Sequence, residues 1–256
     1  MKKTDQTGIV IQARMGSSRL PGKMGLEFYK GQSLMDIVLD RLHSLTQMLP
    51  MIVATTEKNA DDFIEEISKK KGVPVFRGSE EDVLARFIGA AEQFDLNYII
   101  RICADNPFIQ PRFVQQLKNY NKDSIADYVG FRLNRKIPAI KTHLGLFPEL
   151  VKVQALKSID NPELTQAYRE HVTNYFYSDE NQAFSTKWID QTYPEDVLTN
   201  IRLTIDTGED FVIASRIYRY FREHSLDSTD ENIIRYVYEN TELIESMSRR
   251  IKQNEK

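Results

Sequence analysis

One cysteine, Cys103, stands among the 256 residues, so the chain forms no intramolecular disulfide and no zinc site built from cysteines. It lies in an apolar run and reads as a buried, reduced thiol. No stretch approaches the ~20 consecutive apolar residues of a membrane span. The N-terminal MKKTDQTG lacks the apolar centre of a signal peptide, and a cytoplasmic protein is expected. Charge of one sign is also scarce: 34 Lys and Arg face 37 Asp and Glu, leaving a net charge of -3. No global positive field draws nucleic acid or an acidic membrane, and neither is expected as a partner. Any anion must be held by a local cluster. Internal repeats and low-complexity linkers are missing, which argues for one domain.

What is present is alternation. GIVIQA (8–13), MIVATT (51–56), VPVF (73–76) and YIIRICA (98–104) are short apolar runs with the character of buried strands. Between them, Leu34, Ile37, Val38, Leu42 and Leu45 share one helical face. Residues 59–72 open on Asn and Asp and close on three lysines and Gly72, matching helix polarity at both ends. Val83, Leu84, Phe87, Ile88 and Ala91 form the inward face of another helix. Pro111 suits the first turn of a fourth. This order predicts an α/β fold, a three-layer α/β/α sandwich with a mainly parallel sheet.

Beyond residue 125 the rhythm loosens. Residues 127–131, 183–189 and 200–205 read as strands. Residues 148–159, 162–177 and 208–224 read as helices, and one or two C-terminal helices with a frayed, charged tail follow. The division expected is 1–225 for the main domain and 226–256 for a helical extension of it. Ile233, Ile234, Val237, Leu243 and Ile244 would cover the end of their own sheet or pack on a partner in a homodimer; the first is favoured.

In such sheets ligands bind beyond the carboxyl ends of the strands, so the loops after residues 13, 56, 76 and 104 should line one cleft. The first of these, QARMGSSRLPGK (12–23), carries Arg14, Arg19 and Lys23 among small residues. Small residues let backbone N–H groups approach an anion, and the cations supply charge. The loop is not a Walker A motif: five residues separate Gly16 from Gly22, and Met24 follows Lys23. No G-x-G-x-x-G occurs either. A solvated turn is the plain alternative, but three cations directly after a strand favour a phosphate site. Phosphate chemistry usually needs a hard cation held by carboxylates. Asp105 and Asp206 each end a predicted strand; a helix cap or turn is the alternative for each. Asp210 in the same turn competes as a ligand, with helix capping its favoured role.

With IVIQARMGSSRLPGK, RGSEEDVLARF, ADNPF and LTIDTGEDF together, the chain resembles the CMP-sugar synthetase (cytidylyltransferase) superfamily. That superfamily includes acylneuraminate and 3-deoxy-manno-octulosonate cytidylyltransferases, and the likeness is strongest to its spore-coat polysaccharide, SpsF-like branch. It runs from about residue 8 to 220. The resemblance implies a nucleotide-diphospho-sugar transferase type of sandwich, and attack of a sugar hydroxyl on the α-phosphorus of CTP, with a small acidic sugar as acceptor. It implies that Arg14 and Lys23 are catalytic and hold the triphosphate together with Ala13, Met15, Gly16, Ser17 and Ser18. Arg77 and Gly78 would lie near cytosine and ribose, and Asp105 and Asp206 would hold Mg²⁺. Arg101 would brace the aspartate loop. Glu149, in a Gly-Leu-x-x-Glu element, and His171, in REHVT, would face the acceptor. The branch usually has GDCP where this chain has ADNP (104–107); the aspartate and proline remain. A nucleotide-sugar glycosyltransferase of the same fold is one rival, weakened because an Asp-x-Asp metal motif is missing. A catalytically silent nucleotide-binding protein and a cytidylyltransferase for a non-sugar acceptor are the others.

Overall fold

The computed structural model describes residues 6–120, 126–161, 163–181 and 183–253. Strands β1 (Thr7–Gln12), β4 (Met51–Thr56), β5 (Val75–Gly78) and β6 (Tyr98–Cys103) form one side of a sheet that ends at β5, and they are the four apolar runs legible in the sequence. They lie in the order β6-β1-β4-β5, all parallel, with Ile11 level with Val53 on one side and Ile102 on the other. Beyond β6 the sheet continues through β9 (Glu149–Lys152), β7 (Tyr128–Leu133) and β10 (Thr186–Gln191). Strand β9 runs antiparallel to both β6 and β7, while β10 is parallel to β7. Along that path β9 alone is reversed, and the mainly parallel sheet stands. The two-residue β8 (Ile137–Pro138) adds to β7, and β2 (Glu27–Tyr29) pairs with β3 (Gln32–Ser33) as a small hairpin.

Helices cover both faces. Residues at alternating positions of β1 divide between two cores: Ile9 and Ile11 face one, Val10 the other, the period-two rule of a strand. The first core is roofed by α1 (Leu34–Leu42), α2 (Asp62–Lys70), α4 (Pro111–Tyr120), α7 (Glu195–Asn200), α8 (Gly208–Glu223), α9 (Asp230–Tyr238) and α10 (Thr241–Gln253). The second is roofed by α3 (Val83–Gln93) and α5 (Val153–Ile159). Each fully buried Ile or Leu contributes about 1.5–3 kcal/mol, so the strands that carry the site loops are held on both sides. Capping boxes fix two helix starts: Ser33 with Asp36 opens α1, and Thr207 with Asp210 opens α8.

Several expectations are corrected. Residues 148–159 do not form one helix: Glu149–Lys152 is β9 and the helix begins only at Val153. Over 162–177 the helix is confined to α6 (Gln166–Glu170), followed by a 3-10 turn at Asn174–Tyr177. Residues 201–206 form no strand, and the chain bends at Thr204. They cross the site instead, with Leu203 N–H on the His143 carbonyl at 2.8 Å and Ile205 N–H on the Asp105 carbonyl at 3.0 Å. Periodicity could not distinguish these cases, because an apolar run buried by distant neighbours looks alike in either state. Cys103, the last residue of β6, is half-buried rather than enclosed. Ile233, Ile234, Val237 and Leu243 are buried in the chain's own core. The end of the charged tail, 254–256, lies outside the described residues.

Candidate active site

The cationic loop leaves β1 through Ala13, whose N–H still reaches the Ala54 carbonyl at 3.2 Å. Its course is then fixed by a residue 46 positions away: Asp61 accepts the Met15 N–H at 2.7 Å. Asp61 is buried, and its other oxygen accepts from the Thr55 hydroxyl at 2.9 Å and from the Thr56 N–H and hydroxyl at 3.0 and 2.5 Å. The loop closes where Gly22 N–H meets the Met15 carbonyl at 2.9 Å. Gly22 has φ 73°, a left-handed conformation that a side chain disfavours. That turn sends Lys23 back toward the sheet.

There the loop meets the two aspartates. Lys23 is buried, and its Nζ donates to Asp105 Oδ2 at 3.0 Å and to the Ile205 carbonyl at 2.7 Å. Arg19 donates to Asp206 Oδ1 at 2.6 Å, while Arg202 donates to Asp206 Oδ2 at 2.6 Å. Arg202 is buried and also binds Asp210 Oδ1 at 2.9 Å and His143 Nδ1 at 2.5 Å. Asp210 caps α8, as its place after Thr207 suggested; its oxygens also take Arg250 Nε and the Asp206 and Thr207 N–H groups. Two carboxylates, 101 residues apart in sequence, thus share one corner faced by cations.

On the other flank of the loop, Arg14 opens into a cavity of about 200 Å³ lined by Glu80, Glu81, Gln166 and Glu170. Its Nη2 is 3.7 Å from Glu170 Oε1. Gly16 is exposed, and a Cβ there would collide with the Glu80 carboxylate. Ser17 Oγ accepts the Leu20 N–H at 3.3 Å, stiffening the loop, while Ser18 is exposed.

Other expected residues lie elsewhere. Arg77 donates to the Thr56 and Lys58 carbonyls at 2.8 and 2.7 Å and to Asp62 and Glu65 at 2.6 and 2.8 Å, so its guanidinium is turned to the start of α2. Gly78 ends β5 with the Arg86 stem against it. Glu149 is buried and accepts from Arg101 at 2.6 Å, Tyr128 at 2.7 Å and Thr173 at 3.0 Å. Arg101 therefore ties β6 to β9 rather than bracing the aspartate loop. His171 is exposed at the end of α6, next to Glu170. Sequence reasoning gave no role to Asp61, Arg86 or Arg202. Arg86 carried a legible signal: it falls three residues after Val83 on the apolar stripe of α3, where a solvated cation would not sit.

Charged loop, strand ends and aspartates agree with one finding: residues 8–251 match the cytidylyltransferase family. The chain belongs to that family. It is 34% identical over 230 residues to the spore coat polysaccharide biosynthesis protein SpsF of Bacillus subtilis, covering 88% of this chain and 91% of that protein. It is 29% identical over 118 residues to a 3-deoxy-manno-octulosonate cytidylyltransferase of Escherichia coli, 46% of this chain and 47% of the other. A solved cytidylyltransferase structure from Leptospira borgpetersenii superposes with a TM-score of 0.81 at 28% identity, covering 94% and 97% of the two chains. The protein is a CTP-dependent nucleotidyltransferase with the fold of its family.

Cytidylyltransferases typically use a divalent metal. Asp105 and Asp206 suit one: both offer hard oxygens, and both are charge-compensated here by Lys23, Arg19 and Arg202. Among the described residues no group of three or more His, Cys, Asp or Glu side chains is placed to hold an ion. Two carboxylates completed by phosphate oxygens and water are a usual Mg²⁺ arrangement. Among the same residues no helix is long and apolar enough to cross a membrane.

Proposed function

We propose that the enzyme transfers CMP from CTP to a hydroxyl of a small sugar acid, of the ulosonic or nonulosonic type, for surface polysaccharide synthesis, with Mg²⁺ held by Asp105 and Asp206. The observation that carries the reading is the junction of the cationic loop with the two aspartates, where Lys23 reaches Asp105 and Arg19 reaches Asp206. The acceptor oxygen forms a bond to the α-phosphorus; the bond from that phosphorus to the bridging oxygen breaks, and pyrophosphate leaves. The hydroxyl proton passes to solvent. Lys23 and Arg14, on opposite flanks of the loop, neutralise charge that builds on the departing pyrophosphate. Asp61 keeps the loop backbone in place through Met15. The metal, when bound, draws electron density from the phosphate oxygens and lowers repulsion toward the nucleophile. His171 and the Arg14–Glu170 side of the cavity lie where the acceptor would approach.

The sugar-acid class rests on the octulosonate-activating relative and the polysaccharide role on SpsF. The test is pyrophosphate release from CTP and Mg²⁺ against a panel of ulosonic acids, nonulosonic acids, neutral sugars and polyol phosphates. Release with a sugar acid alone supports the reading. Release with a polyol phosphate and with no sugar acid assigns a non-sugar acceptor and overturns it.

A further inference from the structure

Asp206 is held differently at its two oxygens. Oδ1 is taken at 2.6 Å by Arg19, a side chain 54% exposed that arrives from the cationic loop. Oδ2 is taken at 2.6 Å by Arg202, whose side chain is 1% exposed. One oxygen is held from the solvent side and the other from inside the protein.

Arg202 is itself fixed on every side. Its Nε donates to Asp210 Oδ1 at 2.9 Å, Nη2 also reaches Asp210 Oδ2 at 3.2 Å, and Nη1 meets His143 Nδ1 at 2.5 Å. A guanidinium carries no acceptor, so His143 accepts through Nδ1. All three nitrogens are engaged, and the planar fork spans two carboxylates at once. The His143 carbonyl also anchors the segment that carries Arg202, accepting the Leu203 and Thr204 N–H groups at 2.8 and 3.2 Å.

Asp210 is the second point of attachment. It accepts the Asp206 N–H at 3.1 Å, which fixes the backbone of the same aspartate. Its Oδ1 also takes Nε of the buried Arg250 at 2.8 Å, from α10 and 40 residues further along the chain. Arg250 binds Glu209 and the Thr207 hydroxyl as well. The capping box of α8 is complete with Thr207 and Asp210 alone, so neither arginine is needed to start that helix. Apolar side chains in place of buried ion pairs often hold a fold as well. They cannot orient a carboxylate.

We propose that Arg202 is a positioning residue for the metal: it immobilises Asp206 through Oδ2 so that Oδ1 is presented to the ion, and Arg250 locks Arg202 through Asp210. The proposal rests on the assignment of Asp206 to the metal. Arg19 is exposed and can yield Oδ1 while staying solvated, whereas Arg202 cannot leave Oδ2 without stranding a buried charge. The C-terminal helix thereby takes part in building the site.

The test uses Mn²⁺ as a visible stand-in for the ion, titrated into enzyme and CTP without acceptor and followed by the EPR signal of the free ion. Arg202→Lys keeps the charge but cannot span both carboxylates. It should weaken Mn²⁺ binding by about 10- to 100-fold and leave metal-free CTP binding, measured by calorimetry, unchanged. Arg250→Gln should produce a smaller loss of Mn²⁺ binding, and should add nothing in the Arg202→Lys background, because both act through Asp210. The Arg250 arm stands even if Arg202→Lys does not fold. Equal losses of Mn²⁺ and metal-free CTP binding would make Arg202 a structural residue, and additive losses in the double variant would overturn the link to Arg250. Asp206→Asn separates the two readings. If it weakens Mn²⁺ binding while Arg202→Lys does not, the positioning role alone falls; if it leaves Mn²⁺ binding unchanged, the metal assignment falls too.

Discussion

Lys23 Nζ lies 3.0 Å from Asp105 Oδ2 and, in the same pose, donates to the Ile205 carbonyl at 2.7 Å, so one buried cation joins the loop after β1 to both aspartate segments. A cation held there is preorganised for charge that develops in the transition state. Replacing it with methionine keeps much of the stem and removes the charge. Lys23→Met should lower kcat/KM by about 10²–10³-fold, with a change in melting temperature too small to explain the loss. Activity within a few-fold of wild type would return the loop to a structural role.

Asp105→Asn and Asp206→Asn bear on the metal assignment without depending on turnover. Wild-type protein should bind CTP more tightly as Mg²⁺ is added, seen as a rise in melting temperature. Both variants should lose that Mg²⁺-dependent increment while still binding metal-free CTP. An undiminished increment in either variant would remove that aspartate from the metal site.

Asp61 has a positioning role. Its carboxylate satisfies donors from Met15, Thr55 and Thr56 in a buried setting. Asp61→Ala leaves those donors unmet, at about 1–3 kcal/mol for each buried group, and frees the loop backbone. The expected result is a lower urea midpoint together with a raised KM for CTP. Asp61→Asn keeps an acceptor oxygen and should recover part of both; equal damage in the two variants would show that the charge, rather than the anchoring, matters.

Acid stability has a definite sign at Asp230. It is buried and accepts from Arg112 at 2.9 and 2.5 Å and from the Tyr193 hydroxyl at 2.5 Å. Burial raises its pKa, but the Arg112 and Tyr193 hydrogen bonds outweigh it, and the folded value lies below the ordinary 3.8. The unfolded chain takes up the proton first as pH falls. The stabilisation is therefore complete above pH 3.8 and is lost as pH drops through the folded value. Denaturation midpoints followed with pH should show Asp230→Asn less stable than wild type at pH 7, by about 1–3 kcal/mol. The gap should narrow below pH 3.8, and a constant gap would contradict the shift.

Local chemistry and local spacing made the first half of the fold legible. The four parallel strands, the helices α1 to α4 and the helix cap at Asp210 follow from short-range patterns that no distant contact reverses. The loop after β1 announced itself because its charges and small residues are contiguous. The aspartates were visible only as carboxylates at strand ends, and the strand was misread at Asp206, where an irregular segment runs beside Asp105 without joining the sheet.

Residues joined across the chain were beyond the reach of spacing. Arg19 meets Asp206 across 187 positions and Lys23 meets Asp105 across 82. Glu149 and Arg77 kept the residue types that a ligand would want, and the structure turns both toward protein partners. Arg86 shows the converse, a helix cation whose buried Nε and Nη2 have no hydrogen-bond partner, a state defined only by what surrounds it. The sequence by itself determined the fold class, the cationic loop after β1 and the membership implied by its motifs. Tertiary packing decided which charges were satisfied and which were left open, because burial and partnership depend on atoms that the chain brings together only on folding.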